Sequence, residues 1–316
     1  MPNLRIIFMG TAELACASLD ALTRDAAFAV AGVVTQPDRP KGRDLKLEPS
    51  PVKRLASSKG LPVLQPERAR HESFITELRT HQPELIVVAA YGQILPQAVL
   101  DLPPLGCLNV HTSLLPKYRG AAPIQWAILN DEAETGVTIM KMDAGLDTGD
   151  ILSQTSTAIT PEDTAETLHD RLAKMGAELL VRTIPEYVAG KLPLRRQPAE
   201  GASYARKITK EDGHLDFKES ARALWNRVRA LTPWPGTFIV QPAAPRPRLL
   251  KIWDAKVEDV SGPPGQILSA DKSGILIGCG RQALRILMLQ REGGRRLSAA
   301  QFLAGNQLKP GMSLVT

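Results

Sequence analysis

Three polar residues in two separated stretches of this chain have the types and spacing to act on a carbonyl carbon. Asn109 and His111 stand two apart in Leu105-Gly106-Cys107-Leu108-Asn109-Val110-His111, an apolar run that reads as a strand. Side chains two apart on a strand project from the same face, so amide and imidazole are presented together. Asp147 follows 36 positions after His111, in Gly145-Leu146-Asp147-Thr148-Gly149-Asp150, where glycines suit a turn that carries a side chain into a cleft. An amide can donate to an oxyanion, an imidazole exchanges protons near neutral pH, and a carboxylate beside it favours its charged form. Taken singly, each has a plainer use. A strand His is commonly a satisfied structural residue, and an Asn near a turn commonly closes local hydrogen bonds. The conjunction points elsewhere, because a buried polar pair at the end of an apolar strand is costly unless it is used or paired.

The elements that must position these groups follow from apolar periodicity. Arg5–Met9, Val30–Thr35, Pro62–Gln65, Leu85–Ala90, Cys107–His111 and Val137–Met142 are predicted strands. Leu85–Ala90 is apolar throughout, as a parallel strand covered on both faces should be. Helical patterns lie near 12–23, 51–59, 70–81, 96–101 and 121–130, and Thr160-Pro161-Glu162-Asp163 predicts the start of a long helix ending before Gly190. This alternation predicts an α/β fold with a doubly wound, mostly parallel sheet over residues 1–190. Residues 191–208, with prolines and little periodicity, read as a linker. Residues 209–316 carry one helix near Ser220–Ala230. After it come short strands at Thr237–Gln241, Leu249–Ala255, Gly265–Ala270, Gly274–Cys279 and Ala283–Gln290, which suggest a small antiparallel β-barrel.

Composition narrows the function classes. At 316 residues the chain has room for two domains with their own cores, and no apolar run approaches a membrane span. Cys16, Cys107 and Cys279 are scattered without a Cys-x-x-Cys, which argues against a disulfide framework or structural zinc and fits a reducing cytoplasm. No metal is expected, and a monomer is the default. Gly10-Thr11-Ala12-Glu13 lacks the second glycine of a dinucleotide fingerprint, and no Gly-x-x-x-x-Gly-Lys-Ser/Thr is present. An NAD enzyme or a P-loop NTPase is therefore disfavoured. Residues 201–316 hold 18 Lys+Arg against 9 Asp+Glu, a balance of +9, whereas residues 1–200 hold 21 against 24, a balance of −3. A basic second half suggests a polyanionic partner, although a generically basic domain is a common alternative.

The run Asn109-Val110-His111-Thr112-Ser113-Leu114-Leu115-Pro116-Lys117-Tyr118-Arg119-Gly120-Ala121-Ala122-Pro123-Ile124-Gln125 resembles the signature of the 10-formyltetrahydrofolate-dependent formyltransferases, and Met142–Asp150 resembles their second motif. The resemblance covers nearly the full length and is strongest over residues 5–150. It implies a Rossmann-like catalytic domain followed by an OB-like barrel that binds tRNA, and it makes Asn109, His111 and Asp147 the catalytic triad. It also implies that 10-formyltetrahydrofolate is the cosubstrate, held by Ile94, Leu95 and Pro96, by Ser113, Leu114, Leu115 and Pro116, and by the loop from Asp143 to Asp147. Thr112 stands where the family has Pro or Gly, and Ala12 and Leu14 replace its usual Pro and Phe.

A second resemblance concerns the acceptor. Gln36–Leu47 packs Arg39, Lys41, Arg43 and Lys46 into eight residues, too charged for a core, so the segment reads either as a solvated loop or as a phosphate-tracking one. It is similar to an insertion characteristic of the members of that family that act on methionyl-tRNA. The likeness implies that Lys41, Arg43 and Lys46 contact methionyl-initiator tRNA, with Arg206, Lys207 and Lys210 in a basic groove spanning both domains. The implied product is N-formylmethionyl-tRNA for translation initiation. Two alternatives stay open: a sibling enzyme that formylates a nucleotide-sugar amine or hydrolyses formyl-folate, which has no use for the basic loop, and a non-catalytic RNA-binding protein on the same scaffold, which does not require the triad.

Overall fold

The computed structural model describes residues 3–41, 46–241 and 248–313. The chain forms two compact units that interleave in sequence. The first takes Met1–Pro123, Glu134–Ala158 and His169–Arg206, and the second takes Ile124–Ala133, Ile159–Leu168 and Lys207–Thr316.

Through the first two-thirds of the chain the elements run β1 (Leu4–Gly10), α1 (Glu13–Arg24), β2 (Phe28–Val34), β3 (Arg39–Lys41), β4 (Lys46–Glu48), α2 (Pro51–Ser58), β5 (Val63–Leu64), α3 (Glu72–Thr80), β6 (Leu85–Ala89), α4 (Gln97–Leu100), β7 (Cys107–His111), β8 (Arg119–Gly120), α5 (Pro123–Leu129), β9 (Glu134–Lys141), β10 (Ile151–Ala158), α6 (Ala165–Val188) and β11 (Tyr204–Ala205). Seven of the strands form one sheet in the order β10-β9-β7-β6-β1-β2-β5. From β7 to β5 the neighbours are parallel, and β9 and β10 extend the sheet as antiparallel strands. All five residues of β6 are buried, which explains its unbroken apolar run: it lies between β1 and β7 with both faces covered. Fully burying each such Ile, Leu or Val contributes about 1.5–3 kcal/mol. Ile7, Met9, Ile86, Val88, Phe74 and Leu78 belong to one core cluster, so β1, β6 and α3 close over each other.

Two sequence expectations need correction here. The long helix begins at Ala165 rather than Pro161. Asp163 turns back to accept from the Thr160 N–H at 2.8 Å and from Thr167 Oγ1 at 2.9 Å, so residues 160–163 close a separate turn. The reciprocal pair Thr164–Thr167 then caps the helix. The other correction is β10, which sequence reading passed over: Ser153, Gln154, Thr155, Ser156 and Thr157 make it polar, as suits an edge strand with one neighbour.

The segment read as a linker is fastened to the first unit along much of its length. Arg195 and Ile151 exchange both backbone hydrogen bonds, at 2.8 and 3.0 Å, and Gln197 is buried. Tyr204 and Ala205 form β11, which pairs in parallel with Arg119 and Gly120 of β8. Scattered prolines hide this, because two-residue ladders leave no periodicity to read.

The second unit adds α7 (Ala221–Ala230), β12 (Thr237–Gln241), β13 (Arg248–Glu258), β14 (Ile267–Asp271), β15 (Gly274–Gly278), β16 (Ala283–Arg291), β17 (Arg296–Ser298) and α8 (Ala299–Ala304). Its antiparallel sheet has the order β12-β13-β16-β15-β14, and β15 and β17 share the β16 edge, taking its first and second halves. Leu224 and Val228 of α7 and Phe302 of α8 pack with Ile252, Ile275 and Ile286 into its core. Ser220 caps α7 and a Ser298–Gln301 capping box opens α8.

Candidate active site

The site is assembled on β7. Asn109 sits opposite Val88 on one side and Met140 on the other, and His111 opposite Thr138, so both lie deep in the sheet rather than in a loop. They are 9% and 6% exposed. Val110, between them, faces the other way, and a Cβ on Gly176 of α6 would come within 2.8 Å of it. β9 ends at Lys141 beside Leu108, yet Asp147 reaches Asn109, His111 and Gly120, so the loop after β9 doubles back along β7.

The Asp147 carboxylate is held from three sides. Gly120 N–H donates to Oδ2 at 2.8 Å and Asn109 Nδ2 donates to Oδ1 at 3.3 Å. His111 Nδ1 lies 3.7 Å from Oδ2. The other ring nitrogen, Nε2, is 2.9 Å from the Tyr118 carbonyl oxygen. A carbonyl only accepts, so Nε2 carries the hydrogen and Nδ1 is the nitrogen turned toward the carboxylate. The Nδ1 edge and the carboxylate thus face each other across 3.7 Å.

Backbone geometry explains why these residues and not others occupy the turn. Asp147 itself has φ +53°, in the left-handed region where Asp is among the more tolerant residues with a Cβ. Gly149 has no room for a side chain, since a Cβ there would lie 1.8 Å from the Lys141 carbonyl oxygen. At Gly120 φ is +110°, and a Cβ would meet Ala205 O and Tyr204 at 2.8 Å. Asp143, expected among the folate contacts, uses Oδ1 to accept from Gly145 N at 3.0 Å and Thr148 Oγ1 at 2.7 Å, which shapes the same loop.

Three supporting side chains went unread in the sequence. Thr138 is fully buried and its hydroxyl accepts from Leu115 N and Gln154 Nε2 while donating to Ser113 O at 2.7 Å. Gln197 bonds the Asp147 and Gly149 carbonyls and receives Arg119. Nothing local distinguishes a Thr in a strand or a Gln among prolines. The position of Arg119 beside Gly120 inside the signature was the one available signal.

The remaining expected residues fall in several settings. Ile94 is 82% exposed, while Leu95 and Leu115 are buried in core clusters. Pro96 occupies the position before α4, Leu114 is half-buried, and Pro116 follows a cis peptide bond. Ser113 is fully buried and its hydroxyl donates to Lys117 O at 2.7 Å. Lys41 and Lys46 are paired through the β3–β4 ladder, and Arg43 lies outside the described residues. Asp38, next to that ladder, receives Lys53 Nζ at 2.7 Å and Gln65 Nε2 at 2.8 Å, and these bonds lower its pKa. Arg206, Lys207 and Lys210 are exposed, the first closing one unit and the others in the second.

Burial pushes the Cys107 thiol, on the same strand as the site, up to about 12, with Asp101 adding to the effect, so it is no nucleophile. Burial likewise raises Tyr91 to about 12. Among the described residues no group of three or more His, Cys, Asp or Glu could hold a metal ion. A depression lined by Arg79, Gln82, Pro83, Ala98, Asp101 and Leu102 lies where the chain enters β6 and β7, away from the polar cluster.

An amide, an imidazole and a carboxylate on a mostly parallel sheet define an enzyme of the group-transfer class acting at a carbonyl carbon. Residues 4–184 match the formyl transferase family and residues 207–307 match the formyl transferase C-terminal domain, so the chain belongs to the formyl transferase family. It is 48% identical over 314 residues to the methionyl-tRNA formyltransferase of Geobacter metallireducens, spanning 99% of both chains. With the methionyl-tRNA formyltransferase of Caldanaerobacter subterraneus it shares 49% over 314 residues, 98% of this chain and all of the other. Among solved structures, an N-formyltransferase from Helicobacter canadensis, in complex with folinic acid and dTDP-3-aminofucose, has the same fold (TM-score 0.65, 20% identity, 90% of this chain and 99% of that one). So does HypX from Aquifex aeolicus in complex with tetrahydrofolic acid (TM-score 0.64, 17% identity, 95% of this chain), although the present chain spans only 47% of its length.

Proposed function

We propose that this chain transfers the formyl group of 10-formyltetrahydrofolate to the α-amine of methionine on initiator tRNA, giving N-formylmethionyl-tRNA. The observation that carries the reading is the convergence of Asn109, His111 and Asp147 on one face of β7. In the reaction the uncharged amine attacks the formyl carbon, a new C–N bond forms, the bond to the folate nitrogen breaks, and one proton passes from amine to departing nitrogen. The folate supplies an activated one-carbon group. Ile94 at 82% exposure and Leu146 at 47%, on loops after β6 and β9, offer the apolar surface that a flat pterin requires.

Asn109 gives one amide hydrogen to Asp147 and keeps the second for the formyl oxygen as negative charge develops there. His111 works with Asp147: with Nε2–H on Tyr118 O, its Nδ1 faces the carboxylate and shares the one proton that Asp147 takes from the amine, a transient positive charge that favours the developing oxyanion. Asp147 serves as the relay that takes the amine proton and returns it to the leaving nitrogen. Lys41, Arg43, Lys46, Arg206, Lys207 and Lys210 contact the tRNA phosphates.

The test is to incubate the chain with 10-formyltetrahydrofolate and methionine-charged initiator tRNA, then quantify formylmethionine and tetrahydrofolate. Equal amounts of both are expected. Formylation of a nucleotide-linked amino sugar in preference to the tRNA would contradict the proposal.

A further inference from the structure

We infer that Gln197 is a positioning residue for formyl transfer, acting through Asp147; the inference rests on the role given to Asp147 above. Gln197 is 7% exposed and its hydrogen-bonding capacity is fully spent. Its amide nitrogen donates to the Asp147 carbonyl at 2.8 Å and the Gly149 carbonyl at 2.7 Å. Its amide oxygen accepts from Arg119 Nε at 3.0 Å and Nη2 at 2.8 Å.

What makes this more than a satisfied buried amide is the identity of the two segments it joins. One is the turn carrying Asp147, which sits at φ +53° and needs outside bonds to hold a backbone that side chains with a Cβ disfavour. The other is β8, whose Gly120 N–H, next to Arg119, is the 2.8 Å donor to the same carboxylate. Gln197 thus fixes both the backbone from which the carboxylate projects and the strand against which it rests. Its own backbone is anchored on either side, by the Arg195–Ile151 bridge and by the β11–β8 ladder. Only a neutral group offering two hydrogens and two lone pairs serves this place. A carboxylate would keep Arg119 but face two carbonyl oxygens, and a thioether would serve neither. Shifts of about 1 Å in a reacting group cost ~10²-fold in rate, so the tie should be read in turnover rather than in substrate binding.

The experiment compares full-length wild type, Q197M, Q197E and D147N, measuring kcat and KM for 10-formyltetrahydrofolate and for methionyl-initiator tRNA. For Q197M, kcat is expected to fall by about tenfold to a hundredfold with both KM values within about threefold of wild type. For Q197E, which keeps Arg119 but turns a carboxylate oxygen toward two carbonyl oxygens, kcat is expected to fall at least as far as in Q197M, again with both KM values little changed. A Q197M kcat within about twofold of wild type, or a rise in KM alone, overturns the inference while an inactive D147N leaves the Asp147 assignment standing. A fully active D147N removes that assignment whatever Gln197 does. If Q197M proves too unstable to assay, Q197E decides: a Q197E kcat within about twofold of wild type, or a rise in KM alone, overturns the inference.

Discussion

Thr138 shows how much of the site depends on a side chain with no chemistry of its own. Its hydroxyl is saturated by Leu115 N, Gln154 Nε2 and Ser113 O, and so it staples β9 to the turn that follows His111. Thr138→Val keeps the shape and leaves those buried groups unsatisfied. Such orphaned groups cost ~1–3 kcal/mol each. A lowered thermal midpoint together with reduced turnover is expected by calorimetry and initial-rate assay; an unchanged midpoint would contradict this role. That Asn109, His111 and Asp147 meet was legible in sequence because residue type, the two-apart spacing and the family motif agreed. Gln197 was not, since its partners Asp147 and Gly149 lie 50 and 48 positions away and no local pattern encodes a long-range bond.

Among the elements, the return loop after β9 leaves no room for a side chain at Gly149. Gly149→Ala places a methyl 1.8 Å from the Lys141 carbonyl, backbone against backbone, so the loop must shift. Overpacking of this kind costs about 1–3 kcal/mol, and here it should also lower kcat because Asp147 moves with the loop. Full activity in Gly149→Ala would contradict the close approach. In the second unit, the loop after α5 is joined to α7 by Asp131, which accepts three hydrogen bonds from Arg222 at 2.7–3.0 Å. Those bonds lower the Asp131 pKa below its unfolded value. The stabilisation is therefore present above the unfolded pKa, about 4, and is lost as pH falls through the depressed folded one. Both side chains are about half exposed, at 45% and 51%, so the pair is worth only about 0.2–1 kcal/mol. D131N should melt slightly below wild type at neutral pH, with the gap narrowing as pH falls below about 4; a gap that does not narrow under acid would contradict it.

Legibility at this scale followed burial. The strand β6 was readable because a covered strand is continuously apolar, and β1, β2 and β7 because apolar residues dominate them, with Asn109 and His111 standing out in β7. The edge strand β10 was missed, as Ser and Thr there resemble loop residues, and the start of α6 was misplaced because Thr160-Pro161 imitates a helix cap. The pairing of β8 with β11 was invisible, each being two residues long.

For the whole molecule the governing quantity is charge. A balance of +9 over residues 201–316 against −3 over residues 1–200 suits a polyanionic acceptor. If Lys41, Arg43, Lys46, Arg206, Lys207 and Lys210 each meet a phosphate, tRNA affinity should fall by ~10³-fold between about 50 and 200 mM salt, with folate affinity little changed. Arg43→Ala should raise KM for tRNA and flatten that salt slope by about one contact. Salt-insensitive tRNA binding, or an Arg43→Ala defect confined to folate, would contradict the assignment.

In the proposed mechanism, groups from two stretches of chain act on a single reacting carbon. Its most direct test is a double-mutant cycle on Asn109→Ala and Asp147→Asn, read as the single-turnover formylation rate with enzyme in excess over charged tRNA. Removing an oxyanion donor typically costs ~10²–10³ in rate, and groups that work as a unit lose little more when both are removed. A double variant about as slow as the slower single variant is the expected result. Losses that multiply, or a single variant that keeps near wild-type speed, would contradict the account.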